Sequence, residues 1–181
     1  MRRAALEALR DAIFAALARG DEASALRGIE ALRPHAPADA AGLLTALHIE
    51  AGRAQEALAA WAECERCAPH DPYTIFLRAR IALLDGERRA ALDLLLPLMD
   101  APLSPAIAEK VYNIAGQCAR FLGRAQEALA FYARARDAAP DLVLKALNAS
   151  NVLFNRHYLP ATPAEDRAAA EEYGALFRAV R

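Results

Sequence analysis

The octapeptide GRAQEALA occurs at Gly52–Ala59 and recurs unchanged at Gly123–Ala130, 71 residues later. That interval leaves room for one more unit. Gly86–Leu92, GERRAAL, supplies it, and Gly20–Leu26, GDEASAL, supplies an earlier one. Gly20, Gly52, Gly86 and Gly123 are separated by 32, 34 and 37 residues. Five residues after each glycine stands an alanine (Ala25, Ala57, Ala91, Ala128), and six after stands a leucine (Leu26, Leu58, Leu92, Leu129). A period near 34 residues with this pattern means stacked helical hairpins. Such a chain is a scaffold with a surface before it is anything else.

Composition agrees with an all-α chain. The hydrophobic fraction of 56% is ample for a core, and alanine and leucine, both helix formers, supply much of it. A net charge of −1 leaves no bulk field for nucleic acid or an anionic membrane. No apolar run reaches the roughly 18 residues of a spanning helix. The N-terminal stretch MRRAALEALRDAIFAALARGD lacks a clean apolar core followed by a cleavage site. It reads as an amphipathic helix, and the expected location is the cytoplasm. Three cysteines make no disulfide framework. Cys64 and Cys67 form a lone CxxC on a helix and are expected to pack as buried or half-buried small apolar residues. His35, His48, His70 and His157 have no metal-ligand spacing, so no metal site is expected.

Each unit reads as a first helix, a tight turn at glycine, and a second helix ending near proline. The units run at about 6–37, 38–71, 72–108 and 109–140. Glycine permits a left-handed backbone where the first helix ends. The alanine five residues later marks the closest helix crossing, where a larger side chain would force the helices apart. The bulky residue nine after the glycine (Ile29, Trp61, Leu95, Tyr132) fills the gap to the next unit. Pro37, Pro69 and Pro140 are expected to stop the second helix, while unit three has Leu103 in that place. Leu92, Leu95 and Leu98 form an inner stripe. Asp100–Pro105, DAPLSP, is a loop that accounts for the longer spacing. Residues 141–181 differ: a helix over Asp141–Asn155, then a last helix from about Pro163 with Thr162 as its cap.

The GRAQEAL segments, Gly116 seven before Gly123, and the terminating prolines resemble the tetratricopeptide repeat. The resemblance covers about Leu6–Pro140 and implies a superhelix of about four helical hairpins with a C-terminal capping or junction pair of helices. A more specific likeness lies in Asn148–Pro160, NASNVLFNRHYLP, followed by Thr162-Pro163-Ala164-Glu165 and Tyr173-Gly174. This resembles the join in bacterial O-GlcNAc-transferase-like (Spindly-type) proteins, where repeats lead into a glycosyltransferase domain through SNxLFxxHYxPxxxxxE. Leu159 stands where that family usually has Asp. The resemblance implies a parent protein glycosyltransferase using a nucleotide sugar. Its catalytic domain lies outside this chain, and flagellin is one candidate acceptor.

Arrays of this kind bind extended peptides along their first helices. The expected groove positions are Tyr73, Phe76, Arg80, Leu83 and Leu84 in unit three. They are Lys110, Asn113, Gln117, Arg120 and Phe121 in unit four, then Leu144, Leu147, Asn148, Asn151 and Asn155 in the next helix. Amide side chains pair with both N–H and C=O of a peptide backbone. The resembling transferases use an asparagine ladder in this way; Asn148 falls at the matching place and Ile114 occupies it in unit four. Neither cofactor nor catalytic residue is expected in the chain itself, although His157 at the junction is a latent candidate. The expected function is recognition of an acceptor protein for O-glycosylation. The alternative is a free-standing adaptor or chaperone-like scaffold with no link to it.

Overall fold

The computed structural model describes residues 3–178, and every regular element among them is helical. The helices are α1 (Arg3–Ala18), α2 (Glu22–Leu32), α3 (Pro37–Glu50), α4 (Ala54–Cys67), α5 (Pro72–Leu84), α6 (Arg88–Leu95), α7 (Pro105–Phe121), α8 (Ala125–Ala138), α9 (Leu142–Arg156) and α10 (Pro163–Arg178). A 3-10 turn, Leu96–Asp100, follows α6. The chain divides into two compact units, Met1–Gly86 and Glu87–Arg181. The first holds α1–α5 and the second α6–α10. The third repeat therefore has its first helix in one unit and its second in the other.

Among the described residues the four turn glycines are the positive-φ ones, at +70°, +71°, +84° and +73° for Gly20, Gly52, Gly86 and Gly123. Nothing lies within 4 Å of a Cβ built on any of them. They are needed for backbone conformation, not for space. Beyond Gly20, Gly52 and Gly123, the N–H of Asp21, Arg53 and Arg124 returns to the carbonyls of Ala16, His48 and Ala119. These bonds satisfy carbonyls the helix end would leave open. Ala25, Ala57, Ala91 and Ala128 are all fully buried. Ile29 and Leu32 join Ile13, Ala16, Leu43 and Leu47 in the core of the first unit. Trp61 donates from Nε1 to the Thr74 carbonyl at 2.9 Å, tying α4 to α5. In the second unit Tyr132 fills the space over Gly116, where a Cβ would come within 2.9 Å of the ring.

Helix starts follow local chemistry. The Asp71 carboxylate accepts from the Tyr73 and Thr74 N–H groups, and Pro72 opens α5. Asp21 and Asp141 cap α2 and α9 in the same way. Thr162 caps α10: the Glu165 N–H donates to its Oγ1, while Glu165 Oε2 accepts from the Thr162 N–H at 2.7 Å. This reciprocal capping box holds the Glu165 carboxyl below the usual carboxylate range.

Several expectations need correction. Pro37 does not stop α2, which already ends at Leu32; it is the first residue of α3, where a missing N–H costs nothing. The segment from Asp100 to Pro105 is loop only in its middle, since Asp100 closes the 3-10 turn and Pro105 opens α7, four residues before Glu109. The second helix of unit three is short because Pro97 lacks the N–H that would have continued it, and the chain tightens into the 3-10 turn instead. Leu92, Leu95 and Leu98 are buried across that change of helix type. Cys64 is buried, but Cys67, the last residue of α4, is exposed. Among the described residues no helix is long and apolar enough to cross a membrane.

The zero exposure of Ala128 gives the first prediction. Ala128→Leu should overpack the α7–α8 crossing and cost on the order of 1–3 kcal/mol, visible as a lowered midpoint in thermal melts. An unchanged melt would remove the basis for the repeat register. Burial pushes the Cys118 thiol up to about 11 and also raises Cys64. Iodoacetamide at neutral pH should therefore label Cys67 well before either of them, as read by mass spectrometry.

Candidate peptide-binding surfaces

In the first unit, Tyr73, Phe76 and Arg80 all lie on α5, but they do not share a role. Phe76 is buried, with its ring stacked on Tyr73 at 6.1 Å, so it is core and not groove. Tyr73 is half-buried over Gly42, and burial raises its phenol above the usual value. Arg80 Nη2 pairs with Glu50 Oε1 at 2.8 Å across α3 and α5. Its charge is thereby engaged within the unit. Tyr73 also helps line a depression of about 370 Å³, with Arg10, Phe14, Asp39, Leu43 and Thr74. Arg10 and Asp39 are ion-paired there, and Phe14 is exposed. No local motif announces this depression, because its walls come from α1, α3 and α5 at once.

In the second unit the amides divide into two kinds. Asn148 is fully buried between α7 and α9. Its Nδ2 donates to Glu109 Oε1 at 2.7 Å and to the Leu144 carbonyl at 3.0 Å. Its Oδ1 accepts from Asn113 Nδ2 at 2.5 Å. Both donors and the acceptor are used inside the protein, so Asn148 is a rung between helices and is not open to a ligand. Asn155 is also buried, and its Nδ2 returns to the Asn151 carbonyl at 2.8 Å. Assigning Asn148 and Asn155 to an open groove is therefore corrected: α9 turns both toward the packed side. Asn113, Asn151 and Gln117 are half-buried, and Lys110 is exposed.

Arg120 lies over the Phe121 ring at 4.4 Å, and Arg88 lies over the same ring at 4.8 Å. Phe121 itself is exposed. On α9 and just beyond it the exposed residues include an apolar row, Val143, Leu147, Phe154 and Tyr158, of which the last two meet edge to face at 5.6 Å. Their spacing places them on one side of the helix. Of these, Leu147 is the one that groove spacing anticipates. The signal for the others lies in the helical period, which does not by itself distinguish an open apolar row from a packed one. His157 is exposed at the C-terminal cap of α9, with its backbone N–H on the Phe154 carbonyl.

The buried triad yields a prediction. Asn148→Ala should leave Glu109 and Asn113 without their partner. The cost is about 1–3 kcal/mol for an unsatisfied buried group, measurable by urea denaturation. A full-stability variant would show that the amide is not part of the α7–α9 contact.

No protein-family model matches the chain, and no curated protein does either. Solved structures do. TTC0263, a thermophilic TPR protein of Thermus thermophilus, matches with a TM-score of 0.66 at 26% identity, over 82% of this chain and 81% of that one. PilF of Pseudomonas aeruginosa matches with a TM-score of 0.66 at 15% identity, over 97% and 91%. A MamA structure matches with a TM-score of 0.59 at 13% identity, over 89% of each chain. Together with the glycine turns and buried alanines, these likenesses show an all-α tetratricopeptide-repeat fold.

Proposed function

We propose that the chain is a protein-binding module that recognises the acceptor of a bacterial protein O-glycosyltransferase. The observation that carries protein binding is the second unit's open surface. There Lys110, Gln117 and Arg120 on α7 and Asn151 on α9 accompany the apolar row Leu147, Phe154 and Tyr158. Mixed amide, cation and aromatic groups suit an extended chain: amides take its backbone, and rings take its side chains. The link to glycosylation is supported by the resemblance of Asn148–Pro160 and Thr162–Glu165 to the join of the O-GlcNAc-transferase-like proteins. It is also supported by α10, which buries none of its residues and leaves Phe177 exposed. A helix with so little covered surface suits a junction to a further domain. The nucleotide sugar would be held there, and flagellin is the candidate acceptor.

A second reading is a free-standing adaptor or chaperone-like scaffold. The match to PilF is a likeness of fold, which this reading shares with the first. The coding sequence after Arg181 separates the two: a continuing α/β domain supports the transferase, and a stop codon supports the adaptor.

Calorimetric titration with flagellin is the direct test. Gln117→Ala combined with Asn151→Ala should weaken binding about tenfold, since each lost amide contact is worth roughly 0.5–1.5 kcal/mol. Circular dichroism should be unchanged, because neither residue is buried. Equal affinities would place binding on another face, and absence of any flagellin binding would sink this acceptor. Incubated with a nucleotide sugar, the chain alone should leave flagellin unmodified.

A further inference from the structure

We propose that the cavity between α8, α9 and α10 binds a linear aliphatic carboxylate, with the carboxylate on Arg156 and the chain laid along α9. The cavity has a volume of about 400 Å³. α8 contributes Leu129 and Ala133 to its wall, α9 contributes Ala149 and Val152, and α10 contributes Ala169 and Tyr173. Lys110, Gln117, Arg120 and Asn151, the groups assigned to peptide binding, lie outside it.

The cavity follows from the way α10 packs. At the crossing of α7 and α8 a fully buried alanine, Ala128, lets two helices close on each other. Ala133, Ala149 and Ala169 offer small side chains to one shared space, but α10 does not close over them: it has no buried residue. Charge holds it across one end, where Glu172 Oε1 accepts from Arg136 Nη1 at 3.0 Å. The middle of the cavity has apolar walls, so water there would lack the partners it needs. An aliphatic group needs none and gains by leaving water.

The lining residues of α9 set both shape and charge. Lys145, Ala149, Val152 and Arg156 recur at steps of four, three and four, on one face of the helix. From Lys145 to Arg156 that face runs about 16 Å at the helical rise per residue. A slot of that length suits an extended chain better than a compact ring. Two guanidinium groups line it. Arg136 is already engaged, with Asp137 at 2.9 Å and Glu172 at 3.0 Å. Arg156 is not. Its Nε is buried with no hydrogen-bond partner among the described residues, and Asp166 Oδ1 stands 3.9 Å away, beyond hydrogen-bond reach. A buried guanidinium donor without an acceptor is costly and uncommon. A carboxylate supplies that acceptor in the geometry a guanidinium fork matches. An alcohol brings an acceptor without charge, and an amine brings like charge.

The test is calorimetric titration of the whole chain with octanoate, octanol and octylamine, each below the concentration at which it aggregates. Octanoate should bind about tenfold tighter than octanol, the weight of one charge-assisted pair, and octylamine should bind weakest. Arg156→Gln should remove the preference for octanoate over octanol. Lys145→Gln, at the far end of the slot, should leave it in place. Ala169→Leu and Ala133→Leu each fill the cavity from a half-buried position. Either should abolish binding of both ligands while the melting temperature holds or rises, and one serves if the other fails to fold by circular dichroism. Both leave the exposed row of Val143, Leu147, Phe154 and Tyr158 intact, so binding that survives them belongs to that surface and overturns the site. Absence of octanoate binding, or equal binding of octanoate and octanol, overturns it as well. A preference lost in Lys145→Gln and kept in Arg156→Gln overturns the placement of the carboxylate.

Discussion

The hairpins depend on two helices approaching so closely that alanine is the largest side chain the crossing accepts. Ala25, Ala57 and Ala128 have no exposed surface at all. That proximity requires the chain to reverse within very few residues, and a left-handed glycine does this while returning N–H groups to the open carbonyls. Turn and crossing are thus one constraint seen at two positions five residues apart. Gly116 serves the same end by another route: its backbone is ordinary, but Tyr132 occupies the place of its Cβ. One glycine type supplies a torsion angle and the other supplies volume.

This constraint is why so much of the fold is legible in the residues themselves. The turn glycines, the crossing alanines, the Leu92–Leu95–Leu98 stripe and the Thr162 cap are all set within a few residues of sequence. Local chemistry decides them. The candidate surface is less legible, because a surface depends on angle around a helix and on which neighbour lies there. Leu147 and Asn148 show the difficulty. They are adjacent, yet Leu147 is 53% exposed and Asn148 is fully buried. Polarity alone predicts the reverse. One residue along a helix turns the side chain by about 100°, so a one-position uncertainty in register exchanges a ligand contact for a core contact. Phe76, expected in the groove and found in the core, differs for the same reason.

Burying Asn148 has its own logic. The second unit carries Glu109, a carboxylate with 3% exposure, at the α7–α9 contact. Such a group is tolerated only where donors reach it. Asn148 supplies one, and Asn113 completes the chain of bonds. A leucine at position 148 would bury comparable volume and leave Glu109 stranded. The network therefore fixes the register of α9 on α7, which apolar contacts alone would hold less tightly. That register determines which face of α9 remains open, and hence the row Val143, Leu147, Phe154 and Tyr158.

Asn148 and Asn155 make a controlled comparison within one helix. Both are buried asparagines, and both return Nδ2 to the carbonyl four residues earlier. Asn148 then completes its bonding through α7, while Asn155 keeps an Oδ1 with no donor. Structural need accounts for the first. It does not account for the second, since an apolar side chain would fill that place without an unsatisfied atom. The contrast lies in what α7 places opposite each residue: a carboxylate and an amide of α7 reach Asn148, whereas the bond that Asn155 makes stays within α9.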